Sequence, residues 1–298
     1  PIKVKNPLDE DININSPVLI QLDPSNFNIF SVSETASEIE FYDESNNERD
    51  FWVERWNPWN TSTSRIWVEL NNIPKEGCYI FMKHGHDTPP SVSKSNGTKT
   101  FEMFYEDFDN ASTISDLSSK WDFSMSNTPY LDDGKLVLDA RAGGSYSDCY
   151  AKVKNVKPLN GVIEAKVRCT GDQRDCSIFA RENGSIPNKY RYIFHSGLYS
   201  YPGASNIWDK YNCSISYYDN PGGLEDPTGH NQIPNMSSAG NPEISTDWNR
   251  LVLMMNEYDL AGGRYDYDNY RLNSYVTFND SFDNFKNNHS NGGSLGLI

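Results

Sequence analysis

The chain has 298 residues, 37% of them hydrophobic, and a formal net charge of −15 at pH 7. A length of this order suits about two domains. The acidic balance, with no run of Lys or Arg, excludes nucleic acid as a partner, because phosphate binding needs clustered cations. No apolar stretch approaches the roughly 18 residues that a membrane-spanning helix needs, so we expect no membrane insertion. Without a leader-like segment, the sequence suggests a mature chain or an excised ectodomain.

Short β-branched and aromatic segments, separated by turn residues, fill the first hundred residues. They lie at Ile2–Lys5, Val18–Leu22, Glu38–Tyr42, Phe51–Asn57, Arg65–Leu70 and Gly77–Met82. Such segments are typical of antiparallel strands, and no helical period of useful length is present. We therefore predict a β-sandwich over residues 1–100. Its last part, the polar stretch from Asp87 to Thr100, is predicted to be a linker.

The second part of the chain repeats this pattern with longer strands. The segment Phe101–Phe108 is predicted to form its first strand, and Ile114–Lys120 is its one predicted helical turn. Val162–Cys169 alternates between apolar and charged residues, which predicts one solvated face. The run Leu251–Met255 predicts a strand buried on both faces. Residues 101–298 are therefore predicted to be an all-β domain of two packed antiparallel sheets.

Several ordered motifs in residues 1–104 resemble a known extracellular family, domain of unknown function 2341. They are Glu38-Ile-Glu-Phe-Tyr-Asp43, Phe51-Trp-Val-Glu-Arg-Trp-Asn57, Arg65-Ile-Trp-Val-Glu69 with Ile73-Pro74, and Tyr79-Ile-Phe-Met82. The chain departs from the family pattern at Phe81-Met-Lys-His-Gly-His86, where a Tyr-Tyr pair and an Asn are replaced. The resemblance implies a microbial surface protein outside the cell.

In that family a concanavalin A-like, laminin-G-like sandwich commonly follows. Phe104-Tyr-Glu-Asp-Phe-Asp-Asn110, Gly161-Val-Ile-Glu-Ala-Lys-Val167 and Trp248-Asn-Arg-Leu-Val252 resemble its opening, central and returning strands. The resemblance implies two tandem antiparallel β-sandwiches of jelly-roll type, the second concanavalin A-like. A further strand usually follows Gly-x-Leu-Gly-Leu, so we expect this sandwich to lack its closing strand or to borrow one, because an open sheet edge favours pairing.

The segment from Ser196 to Asp247 is predicted to be a long loop that binds a glycan or another cell-surface ligand. Loops of this length in a compact domain are usually functional or disordered. Aromatic rings beside amides and carboxylates suit the apolar and polar faces of a sugar. The alternative is that the rings only fasten the loop to the sandwich. The candidate rings are Tyr199, Tyr201, Trp208, Tyr211, Tyr217 and Tyr218.

Two other functions stay open at this point. A subunit of a cell-surface filament or layer would complete its sheet by self-assembly. A glycoside hydrolase or polysaccharide lyase is a second alternative, but hydrolysis needs two carboxylates about 5 to 10 Å apart. The Glu-x-Asp-x-x-Glu motif of known glucanases is missing, and the central strand offers only Glu164. We therefore predict no catalysis.

Acidic side chains on the predicted loops offer hard oxygen ligands, so calcium is the predicted cofactor if any is bound. Candidate ligands are Asp107, Asp109, Asp266 and Asp268, although none has EF-hand spacing and a solvated acidic surface is the alternative. A turn with His84, His86 and Asp87 is a weaker metal candidate.

The cysteines and sequons bear on the cellular compartment. Cys169 and Cys176 are separated by six polar residues that we predict to form a hairpin tip, which a disulfide would clamp. Asn-X-Ser/Thr sequons suggest a glycosylated protein outside the cell. They occur at Asn60, Asn96, Asn110, Asn183, Asn212, Asn235, Asn279 and Asn288.

Overall fold

The computed structural model divides the chain into two compact units, residues 1–107 and 108–298. In both units the sheets are antiparallel, as the sequence predicts, and the described helices are single short turns. No helix of the described part is long and apolar enough to cross a membrane. The structure describes residues 1–13, 15–28, 31–57, 59, 63–85, 93–123, 129–139, 149–158, 160–168, 174–183, 189–198, 214–220, 230–232, 237–239, 248–256, 259–266, 272–279 and 294–297.

The first unit contains two antiparallel sheets. Its strands are β1 (Ile2–Val4), β2 (Ser16–Leu22), β3 (Glu40–Tyr42), β4 (Glu48–Arg49), β5 (Phe51–Arg55), β6 (Ser64–Leu70) and β7 (Cys78–Lys83). One sheet has the order β1-β7-β3-β4 and the other β2-β6-β5. These strands coincide with the six segments predicted from the sequence, and only the two-residue β4 is additional.

The two sheets share one hydrophobic core. Ile66 and Val68 of β6 and Phe41 of β3 have no exposed surface. Burying a side chain of this size contributes about 1.5–3 kcal/mol. Because alternate residues of a strand face opposite sides, the buried positions of β6 explain why its Trp67 lies on the other face.

The turn between β3 and β4 is organised by Asp43. Its carboxylate accepts hydrogen bonds from the backbone N–H of Ser45 at 2.9 Å and of Asn47 at 2.8 Å. It also pairs with the Arg49 guanidinium. Partial burial raises the pKa of Asp43, but the Arg49 pair and the Asn47 hydrogen bonds outweigh it and lower the pKa to about 2.

Residues 93–100 pack back onto the first unit, although the sequence predicts them to belong to a linker; residues 87–92 of that linker lie outside the described structure. The Ser95 hydroxyl accepts a hydrogen bond from Val53 N–H, and Asn96 N–H donates to the Phe51 carbonyl, so this segment covers part of the β5 edge. A four-residue helix α1 (Gly97–Thr100) follows. Phe101 then begins an irregular stretch, so the strand predicted over 101–108 is wrong.

Aromatic contacts hold this segment in place. Phe101 and Tyr105 are stacked, with ring centroids 5.7 Å apart and 7° between the planes. Tyr105 also meets Trp52 edge-on at 5.0 Å, and Phe101 meets Trp67 at 5.7 Å. Residues 101–105, which the sequence assigns to the second domain, therefore pack within the first unit.

The second unit begins with a 3-10 helix, Ile114–Leu117, within the predicted helical turn. Its strands are β8 (Trp121–Phe123), β9 (Tyr130–Leu131), β10 (Leu136–Val137), β11 (Ala151–Val153), β12 (Gly161–Val167), β13 (Arg174–Asn183), β14 (Lys189–Leu198), β15 (Ser214–Asn220), β16 (His230–Gln232), β17 (Ser237–Ala239), β18 (Asn249–Asn256), β19 (Asp259–Asp266), β20 (Leu272–Asn279) and β21 (Ser294–Leu297). They form a seven-stranded sheet with the order β16-β15-β14-β13-β21-β11-β8, a five-stranded sheet with the order β12-β18-β19-β20-β17, and the short pair β9 and β10.

Strands β12 and β13 belong to different sheets, although they follow each other in the sequence. The hairpin predicted between Cys169 and Cys176 is therefore wrong. The burial patterns explain the separation. β12 alternates between exposed and partly buried positions, whereas residues 177–181 of β13 are all buried. β13 contacts β12 and β18 across the core.

One further expectation for the second unit needs correction. The predicted long loop from Ser196 to Asp247 contains strands β15, β16 and β17, because its Tyr-rich and Ser-rich stretches pair with neighbouring strands. β21 is bonded to β13 on one side and β11 on the other. That the sandwich lacks a closing strand or borrows one stays a prediction.

Candidate ligand-binding site

One face of the five-stranded sheet combines charged, apolar and aromatic residues, and we call it the outer face. Leu251, Leu253 and Met255 of β18 point to the core and are at most 3% exposed. The alternate positions form the outer face, where Val162 is 64% and Met254 42% exposed. On these three strands the outer face comprises Val162, Glu164, Lys166 and Arg168, then Arg250, Val252, Met254 and Asn256, then Asp259, Ala261, Gly263 and Tyr265.

Strand register arranges these residues in rows across the sheet. Lys166 is paired with Arg250, which is paired with Tyr265. Met254 stands opposite Val162, so the exposed apolar side chains are neighbours. The sequence predicts the solvated face of β12, and its alternation is confirmed. The exposure of Met254 corrects the prediction that the run Leu251–Met255 is buried on both faces.

Trp248, directly before β18, holds two cations at one end of the outer face. The Lys166 Nζ lies 4.9 Å from the centroid of the Trp248 ring, and the Arg168 Cζ lies 5.2 Å from it. Cation–π contacts at such distances contribute about 0.5–1 kcal/mol each at exposed sites. Both cationic side chains are exposed. The Trp248 ring therefore keeps two solvent-facing cations near one place on the sheet surface.

Glu164 forms an ion pair with Arg250, whose side chain is 4% exposed. Arg250 is buried beside its carboxylate partner, which is how a charged group is tolerated away from water. Strand register places a second acidic residue, Asp259, on the outer face opposite Asn256, at the end of the sheet away from Trp248. The absence of catalysis stays a prediction.

Tyr265 lies along the sheet surface over Gly263. A Cβ atom placed on Gly263 would be 2.8 Å from the Tyr265 Cε2 and 3.3 Å from its hydroxyl oxygen. Glycine at position 263 therefore provides the space that the ring occupies. Val252 of the neighbouring strand stands opposite Gly263, and both residues are buried.

The predicted ligand-binding rings are only partly within the described structure. Tyr199, Tyr201, Trp208 and Tyr211 lie outside the described residues. Tyr217 and Tyr218 occupy consecutive positions of β15, paired with Tyr192 and Arg191 of β14, rather than a loop. Their role in binding stays a prediction.

The predicted calcium ligands are not brought together in the described structure. Asp107 accepts a hydrogen bond from the Tyr105 hydroxyl at 2.9 Å, and Asp109 lies beside Gly134. Asp266 ends β19, and Asp268 lies outside the described residues. Among the described residues, no three His, Cys, Asp or Glu side chains are grouped so that they could hold a metal ion. Calcium binding stays a prediction.

The other candidate residues fall in several places. His84 meets the Phe27 ring edge-on at 5.2 Å, while His86 and Asp87 lie outside the described residues. Cys176 lies in β13, and Cys169 is outside the described part. Among the sequons, Asn96 and Asn110 are exposed, Asn183 and Asn279 end β13 and β20, and Asn60, Asn212, Asn235 and Asn288 are not described.

The motif residues of the first unit form a buried network. Glu54 accepts hydrogen bonds from Arg65 Nη1 at 3.1 Å and from Trp67 Nε1 at 2.9 Å. The Arg65 side chain is fully buried and that of Glu54 is 4% exposed. Trp56 Nε1 donates to the Ser33 carbonyl at 3.1 Å. These side chains hold strands and loops together rather than facing solvent.

Fold and site thus define an all-β chain of two antiparallel units, with a structural polar network in the first and a mixed aromatic and charged face in the second. Residues 35–124 match the family model described as Domain of unknown function (DUF2341). The predicted resemblance is confirmed over these residues. No curated protein and no solved structure matches the chain.

Sequence reasoning missed Trp248, Tyr265 and Gly263 as parts of one surface. The alternation of β12 was visible, but the apolar run of β18 concealed which of its residues face outward. A signal was available in the pair Gly262-Gly263 followed by Tyr265, because glycines within a strand often mark a close approach of other groups.

Proposed function

We propose that the chain is a non-catalytic extracellular binding module, with each unit a β-sandwich of jelly-roll type and the second concanavalin A-like. Its second unit would bind a carbohydrate or another cell-surface ligand. The observation that carries the proposal is the outer face, where aromatic, apolar and charged side chains share one sheet surface. The exposed sequon residues Asn96 and Asn110 are compatible with glycosylation outside the cell.

The chemistry of the outer face suits a sugar chain. Pyranose rings present flat C–H surfaces that stack on aromatic rings, and their hydroxyl groups need hydrogen-bond partners around the ring. Tyr265 supplies a ring that lies along the sheet, and the exposed Val162 and Met254 supply apolar contact. Lys166 and Arg168 supply donors at one end. Isolated exposed apolar residues are ordinary, but their grouping with these donors is typical of an interaction surface.

The test is a glycan array probed with the full chain, with and without millimolar calcium. Three single variants locate the site: Trp248→Ala on the outer face, Trp208→Ala in the predicted aromatic segment, and Trp59→Ala as a control. Trp59 is 68% exposed and belongs to the first unit, so its loss removes an accessible tryptophan of the same size elsewhere.

We expect saturable binding that the Trp59→Ala variant retains and the Trp248→Ala variant loses. Loss in the Trp208→Ala variant instead would keep the binding function but move it to the predicted aromatic segment. A requirement for calcium would identify the acidic residues as ligands. No binding on any glycan, together with concentration-dependent oligomers, would contradict the proposal and favour a filament or layer subunit.

A further inference from the structure

We propose that Lys166 and Arg168, positioned by Trp248, bind the carboxylate or sulfate groups of an acidic polysaccharide along the outer face. This inference rests on the proposed carbohydrate-binding function and specifies the class of ligand. Of the charged residues that the described strands place on the outer face, three are cationic, Lys166, Arg168 and Arg250, and two are acidic, Glu164 and Asp259. The local charge is therefore opposite in sign to the chain's net charge of −15.

The charges are distributed so that two cations face solvent. Arg250 is almost fully buried and forms its ion pair with Glu164. Lys166 and Arg168 are exposed on the same face of β12, two residues apart, which corresponds to about 6.6 Å along a strand. A guanidinium offers two parallel donors that match a carboxylate or a sulfate, and an ammonium adds a compact point charge.

Trp248 reduces the cost of binding an anion. Long cationic side chains lose conformational freedom when a ligand immobilises them, and this loss weakens binding. Here the indole ring already restricts both, with Lys166 Nζ at 4.9 Å and Arg168 Cζ at 5.2 Å from its centroid. Trp248 is therefore a positioning residue for the two cations.

The shape of the outer face favours a polymer over a free anion. From Arg168 to Val162 it extends about 20 Å along β12, at about 3.3 Å per residue. The cations lie at one end, Tyr265 lies over Gly263, and exposed Val162 and Met254 lie at the other end. Nucleic acid fits less well, because tight binding to a phosphate backbone uses many cations and here two are exposed.

The experiment is a calorimetric titration of the full chain with polygalacturonate, dextran sulfate, neutral dextran and single-stranded DNA at low and high salt. The variants are Arg168→Gln and Lys166→Gln, with Lys3→Gln as a control that removes one exposed charge from the first unit. Trp248→Leu tests positioning. Because the substituted Arg168 and Lys166 are exposed, these variants are expected to fold, which far-UV circular dichroism checks.

We expect the chain to bind at least one polyanion, and we expect high salt to weaken this binding. Arg168→Gln and Lys166→Gln should each lower the affinity about tenfold. Lys3→Gln should leave the affinity unchanged. Trp248→Leu should weaken polyanion binding. In the Trp248→Leu background, the further substitution Arg168→Gln should also lower the affinity for the polyanion by less than it does in the native chain. The relative strength of polygalacturonate and dextran sulfate distinguishes carboxylate from sulfate recognition.

Four outcomes would overturn the inference. Equal binding of neutral dextran and polyanions, insensitive to Arg168→Gln, would refute the acidic class while leaving carbohydrate binding intact. Equal or tighter binding of DNA would assign the cations to nucleic acid. Loss of self-association in Arg168→Gln, measured by sedimentation velocity, would identify a second copy of the chain as the occupant. No carbohydrate binding at all would remove the proposed function together with the inference.

Discussion

Tyr105 packs on Gly97, so the effect of Gly97→Ala on the free energy of unfolding should depend on whether the tyrosine ring is present. A Cβ atom on Gly97 would lie under 3.0 Å from three carbons of the Tyr105 ring. Overpacking of this kind costs about 1–3 kcal/mol. Alanine is a better helix former than glycine by up to about 1 kcal/mol, which offsets part of that cost in α1. We therefore expect Gly97→Ala to destabilise the first unit by about 1–2 kcal/mol.

In a Tyr105→Ala background the same substitution should be neutral or stabilising, because the ring that the new methyl group would strike is absent. The assay is urea unfolding of the full chain followed by tryptophan fluorescence, to which the first unit contributes four of seven tryptophans. The four variants form a double-mutant cycle. An equal loss of stability from Gly97→Ala in both backgrounds would refute the packing argument.

Three further predictions concern charge and packing. The Arg49 pair and the hydrogen bonds lower the pKa of Asp43 from 3.8 to about 2, so the stability that its carboxylate contributes is complete above about pH 4 and is lost as pH falls toward 2. Acid unfolding monitored by circular dichroism should show a loss of about 1 kcal/mol after solvent screening. The Asp43→Asn variant should not show this pH-dependent loss. Glu54→Gln should destabilise the first unit by about 3 kcal/mol in urea unfolding, because the buried Arg65 keeps its positive charge while the side chain 3.1 Å away loses its negative charge. A change below 0.5 kcal/mol would contradict this. Gly263→Ala should displace the tyrosine ring that lies over it and weaken glycan binding severalfold in calorimetry, whereas unchanged affinity would show that the ring is not part of the site.

The strands of the first unit were predictable because each carries its own local signal. From Ile66 to Leu70, β6 alternates buried and partly buried positions, and the turn at Asp43–Asn47 contains residues that favour turns. The docking of residues 93–105 was not predictable, since Ser95 and Asn96 look like linker residues until a neighbouring strand edge is available. Tertiary contacts of this kind leave no periodic pattern in the sequence.

The candidate site depended on sheet register, which the sequence does not specify. Glu164 was visible as an exposed carboxylate, but its ion pair with Arg250 arises only when β12 pairs with β18. Trp248 similarly becomes a support for two cations only through that pairing. The assignment of β12 and β13 to different sheets, against the hairpin prediction, follows from long-range burial that adjacent residues do not record.

Hydroxyl-radical footprinting of the full chain with and without polygalacturonate tests most directly whether the outer face binds the ligand. Exposed Trp and Met side chains are oxidised readily, so protection reports contact. We expect the ligand to protect Trp248 and Met254 from oxidation and to leave the oxidation of Trp59 and Met103 unchanged; these two are 68% and 58% exposed in the first unit. Saturating ligand that leaves Trp248 and Met254 fully oxidised, while protecting residues elsewhere in the chain, would contradict it.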